Sequence, residues 1–200
     1  MNHLLDWLGN GDLRSDGLSQ EVVRFVLLHP GLLEDLIQGI TSDDDVIRGH
    51  TADALEHIAR TLPEQLLPYT ALIAERLSHD PVPMVRWHMA MAIGHLAADW
   101  KEPDQACSLL CGCLQDPSVF VVSWVIVSVC IFARIYPEQV EMVLEPIARL
   151  GSHQSVALRS KVRQAIQILS DDQRPFPKGW VKSQRIASCL VKPMPGSSQR

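Results

Sequence analysis

Residues 47–59 read IRGHTADALEHIA, and residues 85–97, 38 positions further on, read VRWHMAMAIGHLA. Laid over one another they match Arg48 with Arg86, His50 with His88, Ala54 with Ala92, His57 with His95 and Ala59 with Ala97. Small and apolar residues recur three and four apart in both, the spacing of an amphipathic helix. Another 36 residues on, Asp80-Pro81 falls on Asp116-Pro117, Val85 on Val121 and Ala97 on Ala133. After 37 more, Leu158 takes the place of Val121 and Ala165 that of Ser128. Self-similarity at a fixed period is the mark of a repeat architecture, and four copies of one helix are present.

A partner helix is expected between the copies, opening on proline, an acid and glutamine: Pro63-Glu64-Gln65, Pro103-Asp104-Gln105 and Pro137-Glu138-Gln139. Proline suits a first turn, where its missing N–H would have no partner, and the acid complements the positive end of the helix dipole. The pairs predicted are residues 31–41 with 44–60, 64–79 with 82–98, 104–115 with 118–135, and 138–150 with 155–170. One such pair cannot bury its apolar stripe alone, so neighbours must stack. The packed stripe is predicted at columns 47/85/121/158, 54/92/128/165, 55/93/129/166 and 58/96/132/169, which are small or apolar throughout.

The period, the Asp-Pro turn and the pattern V-R-x-x-x-A-x-A-I/L-x-x-L/I-A resemble HEAT repeats of the short HEAT-like type, over about residues 31–170. The resemblance implies an all-α, right-handed α-solenoid of four to five helix pairs. It also implies that Asp80 and Asp116 in the turns, with Arg48, Arg86 and Arg159, brace neighbouring repeats; Val122 departs from the arginine column. The expected organisation is capping helices over 1–30, repeats at 31–61, 63–99, 103–136 and 137–170, and a basic, proline-containing tail over 171–200. Ser19 is expected to N-cap the helix over EVVRFVLL, which His29-Pro30 closes. In the tail RIASCLV reads as a short strand or helical turn, and the rest as extended chain.

Charge and composition narrow the partners. Residues 1–170 carry 12 Lys/Arg against 21 Asp/Glu, and residues 171–200 carry 6 against 2. An acidic body argues against nucleic acid, whose binding needs a basic surface. The uncharged run 119–133 is shorter than the roughly 20 residues of a membrane span. The start MNHLLDWLGNGD has no basic segment and carries Asp6, unlike a signal peptide, so a cytoplasmic location is expected. The five cysteines form no even framework and are expected to be reduced, with Cys107, Cys111 and Cys113 filling the core.

The variable columns are expected to face outward on the second helix of each pair, which the resemblance places on the concave side. They run His50, His88, Trp124, Lys161; then Asp53, Met91, Val127, Gln164; then His57, His95, Ile131, Ile168. A binding surface is therefore expected at His50, Asp53, His57, His88, Met91, His95, Trp124, Val127 and Ile131. No cofactor and no metal is expected; His50, His57, His88 and His95 would be the ligands of a metal if there were one, since neutral imidazoles beside Asp53 suit zinc or iron. HEAT-like deoxyhypusine hydroxylases hold iron through a His-Glu dipeptide, but here the corresponding pairs are Gly49-His50 and Trp87-His88. HEAT-like alkylation-repair glycosylases use tryptophans and a carboxylate, yet Trp87 and Trp124 lack an acidic partner in neighbouring columns. The reading is a non-enzymatic scaffold for a protein or peptide, with those two enzyme classes as the alternative.

Within residues 116–134 the columns that are polar elsewhere become Val122, Trp124, Val127 and Ile131. Such apolar surface has to be covered by a partner, a second copy or the chain's own tail. The tail offers Pro175-Phe176-Pro177 and Trp180 as anchors, with Arg174, Lys178 and Lys182 to meet the acidic body.

Overall fold

The computed structural model describes residues 3–190, so Met1, Asn2 and the tail expected over 191–200 lie outside the described residues. Eleven α-helices run in chain order: α1 (His3–Leu8), α2 (Ser19–Leu28), α3 (Leu33–Gly39), α4 (Asp45–Thr61), α5 (Thr70–His79), α6 (Pro83–Leu96), α7 (Pro103–Gly112), α8 (Val119–Ile135), α9 (Val140–Arg149), α10 (Val156–Ser170) and α11 (Gln184–Leu190). No strand occurs among the described residues, and no helix there is long and apolar enough to cross a membrane. Helices α2, α4, α6, α8 and α10 stack side by side in one row, backed by α3, α5, α7 and α9. This is the expected all-α solenoid.

The predicted stripe is the core. Val85, Val121, Leu158, Ala54, Ala92, Ala165, Leu55, Ile93, Val129, Ile58, Leu96 and Phe132 are buried along the row, while Ile47 and Ile166 at its two ends are half-buried. Small residues let the helices approach closely: a side chain at Gly94 of α6 would meet Ser128 of α8, whose hydroxyl donates to Ala90 O at 2.6 Å.

Each second helix starts from a side chain that closes the turn on itself. Asp44 Oδ1 accepts from Val46 N at 2.8 Å, Asp80 Oδ1 from Val82 N at 2.9 Å and Asp116 Oδ1 from Ser118 N at 2.7 Å. Asp80 and Asp116 also receive the arginine of the preceding repeat. Arg48 Nε donates to Asp80 Oδ2 at 3.2 Å; Arg86 forks onto Asp116, with Nε to Oδ2 at 2.6 Å and a terminal nitrogen to Oδ1 at 3.1 Å. Where Val122 replaces the arginine, His153 stands in the aspartate's column, its Nδ1 taking the turn bond from Ser155 N at 3.0 Å. Both members of the brace change together. Arg159, with no further repeat after it among the described residues, donates to the carbonyls of His153 and Gln154 at 2.7 and 3.0 Å.

Several boundaries differ from expectation. Pro63–Gln65 and Pro137–Gln139 form separate 3-10 turns, and a second turn, Leu67–Tyr69, precedes α5, because Pro68 has no N–H to continue a helix. Ser19 is the first residue of α2 and not its cap; its hydroxyl donates instead to Asp53 of α4. The tail is not wholly extended: 171–183 is irregular, then Ser183 Oγ accepts from Ile186 N at 3.4 Å at the start of α11.

Candidate functional site

The face of the row divides into a polar part on α4 and α6 and an apolar part on α8. The columns expected to stand exposed are mostly buried. On α4 His50 is wholly enclosed: Nδ1 lies 2.7 Å from Leu8 O, and Nε2 lies 2.9 Å from Ser15 O and 3.2 Å from Asp12 O. The N-terminal segment can wrap the ring because Gly17 adopts φ 53°, where a side chain would strike the imidazole. Both nitrogens of His50 face carbonyl oxygens, so it anchors the N-terminal segment.

Three residues of α4 and two of α6 form the polar centre. Asp53 Oδ2 accepts from Ser19 Oγ, and Asp53 Oδ1 stands 3.5 Å from His88 Nδ1 and 3.8 Å from His57 Nε2. Glu56, only 1% exposed, accepts from His95 Nε2 at 2.8 Å on Oε1, and its Oε2 lies 3.7 Å from His57 Nε2 and 3.9 Å from Arg60. Arg60 in turn donates to His57 Nδ1 at 2.7 Å, which places the ring proton of neutral His57 on Nε2, toward the carboxylates. His88 Nδ1 and His95 Nδ1 are buried without a hydrogen-bond partner.

These surroundings set the protonation states. Burial raises the Asp53 carboxyl above its usual range, partly offset by the Ser19 bond and His57. Burial also opposes ionisation of Glu56, but the His95 hydrogen bond and the charges of His95, Arg60 and Lys182 outweigh it and hold the group at about 2. Burial pushes His88 down to about 4, with Lys182 and His57 adding to the effect and Glu56 opposing it. At neutral pH the centre therefore combines a neutral imidazole with an ionised carboxylate.

The apolar part is covered by the tail. Residues 171–190 leave α10 and bring α11 against α8 and α4. Trp180, Ser183 and Ile186 are buried, and Phe176 is half-buried beneath the Arg134 guanidinium, 5.3 Å from its ring centre. Trp124 is half-buried between two cations, Lys161 Nζ at 5.0 Å and Lys182 Nζ at 4.8 Å from the ring centre. Lys161 also lies 5.2 Å from the Trp180 ring, and burial lowers its pKa. Arg185 pairs with Asp99. Val127, Ile131 and Val122 of α8 and Met91 of α6 are buried; Gln164 remains exposed.

The structure thus brings Asp53, His57, His88 and His95 together, takes His50 into the N-terminal cap, and sets Trp124 under the tail. Sequence reasoning missed Glu56, Ser19 and Arg60. Glu56 stands in the column of Gly94, so a carboxylate opposite a glycine inside a duplicated helix was the available signal.

No family model matches the sequence, and no curated protein matches it. Among solved structures the chain is similar to an engineered protein from the Northeast Structural Genomics Consortium, at 21% identity and TM-score 0.60, over 84% of this chain and 80% of that one. It also aligns with a designed armadillo repeat protein at 16% identity and TM-score 0.41, over 84% of this chain and 99% of that one. The first likeness, at its low identity, concerns the fold alone, and with the stacked row of helices it establishes a helical-repeat solenoid.

Proposed function

We propose that the chain is a HEAT-like repeat scaffold that binds a peptide segment of a partner protein on the concave face of its second helices, where its own tail lies. The observation that carries this reading is the seating of residues 171–190 against α8. A tryptophan and an isoleucine of the tail, Trp180 and Ile186, are buried there, and Lys182 rests on Trp124. A surface that accepts one partly basic segment through an aromatic platform has the chemistry to accept another. The aspartate–arginine braces at Arg48–Asp80 and Arg86–Asp116 support the HEAT assignment. The setting is the cytoplasm, where free thiols such as Cys107 and Cys130 stay reduced.

A labelled peptide of residues 171–190 tests the reading. It is expected to bind a chain ending at Ser170 saturably, and to lose most of its affinity when Trp124 is changed to Ala. Absence of binding to a truncated chain that keeps its helical circular dichroism would defeat the proposal.

A further inference from the structure

The centre on α4 and α6 has a property that peptide binding does not use. The ligating atoms of Asp53, Glu56 and His88 all lie within 4.8 Å of one another, and all three residues are buried. One oxygen of each carboxylate is held from behind: Asp53 Oδ2 by Ser19, Glu56 Oε1 by His95. Of the second oxygens, Asp53 Oδ1 faces His88 and Glu56 Oε2 faces His57 and Arg60. His88, 7% exposed, points a nitrogen without a hydrogen-bond partner at Asp53 Oδ1, 3.5 Å away. A buried polar atom left unpaired is costly, and here it completes a converging set of donors.

We propose that Asp53, Glu56 and His88 form a binding site for a divalent first-row transition ion, of which zinc is the representative, stapling α4 to α6. Bonds of about 2.0–2.2 Å in a tetrahedron place ligand atoms roughly 3.4 Å apart, so the ion would draw the three donors together by small side-chain rotations. Two carboxylates and a neutral imidazole balance its charge, and one imidazole with two oxygens suits zinc, iron or manganese. Ser19 and His95 are the positioning residues, since ligating carboxylates are themselves normally hydrogen-bonded. His50 is excluded because both its nitrogens face carbonyls, and His57 because Arg60 engages its Nδ1 and leaves the proton on Nε2. Two cations lie close. Arg60 is 3.9 Å from Glu56 Oε2, and the Lys182 ammonium acts on both Glu56 and His88. Lys182 is thus a built-in competitor for the site.

The full chain, stripped with chelator, is titrated with zinc chloride at neutral pH by calorimetry, and its thermal midpoint is followed in parallel. One equivalent is expected to bind and to raise the midpoint. His88→Asn and Glu56→Gln should abolish binding, Ser19→Ala should weaken it about tenfold to a hundredfold, and Lys182→Met should tighten it. Cobalt(II) replacing zinc should give the visible bands of a tetrahedral N/O site without thiolate charge transfer. That readout needs no variant, so it stands even if a substitution unfolds the chain. Absence of saturable binding, binding that survives His88→Asn, or a cobalt–thiolate band from Cys107, Cys111 or Cys113 would each overturn the assignment.

Discussion

Helices α4 and α8 occupy the same place in their repeats and bury the same face by opposite means. On α4 the face carries Arg48, His50, Asp53 and Glu56, each enclosed by a dedicated partner: Asp80, the N-terminal carbonyls, Ser19 and His95. On α8 the matching columns hold Val122, Trp124, Val127 and Cys130, and what lies over Trp124 is a returning segment of chain. Polar burial demands a particular atom in a particular place, because an unmade bond costs about 1–3 kcal/mol. Apolar burial demands only that water be excluded. Under the proposed function it is therefore the α8 half that exchanges its cover, and not the α4 half.

Removing residues 171–200 attacks the apolar half and has the largest expected effect. Loss of Trp180 and Ile186 burial should lower stability by roughly 3–6 kcal/mol, at about 1.5–3 kcal/mol for each side chain. Denaturant unfolding measures this, and hydrophobic-dye binding should rise while far-ultraviolet dichroism keeps its helical shape. The next largest effect lies in the brace between α6 and α8. Arg86→Ala strips both guanidinium bonds from the Asp116 carboxylate, which keeps only the Ser118 amide, and unfolding should show a loss of about 3 kcal/mol. If Arg86→Ala cost nothing, the polar half would be no more specific than the apolar one.

Acid sharpens the contrast further. His88 titrates at about 4 in the folded chain against 6.5 when free, so between those values the unfolded state binds the extra proton. Stability from this group is complete above pH 6.5 and falls as pH drops toward 4, by on the order of 3 kcal/mol. Glu56 adds a loss of the same sign at lower pH, whereas Asp53, whose carboxyl is raised, works in the opposite direction. Asp53, Glu56 and His57 on α4 and Lys182 from the tail all face His88, so the comparison must be internal. Unfolding of His88→Asn and the native chain from pH 7 to pH 4 should differ in slope across that window. The smallest effect belongs to Arg185→Ala. Its pair with Asp99 is half in solvent, and the unfolding midpoint should barely move.

The solenoid was legible because its signal is periodic. Matching arginines, histidines and alanines at a spacing of 38 fixed α4 against α6, and the stripe columns then named the core. The site was legible only in part. Columns show which positions vary but not what comes from outside the repeats to meet them. Three such visitors decide the site: the segment holding Leu8 and Ser15, the hydroxyl of Ser19, and the tail with Lys182. Their sequence separations from the residues they touch follow no period. Phe176 and Trp180 could be picked out as anchors by their chemistry, whereas their place over Arg134 and Lys161 needed coordinates.

One guanidinium sits where α10 gives way to the tail. A terminal nitrogen of Arg134 donates to the carbonyls of Ile168 at 3.1 Å, Asp171 at 3.2 Å and Arg174 at 3.0 Å. These come from the last turn of α10 and the first residues beyond it, where helix carbonyls would otherwise lack donors. Anyone wishing to lengthen this protein by grafting another helix pair after Ser170 would have to free Arg134 first. With it in place, the chain is turned back toward α8 before a new repeat could begin.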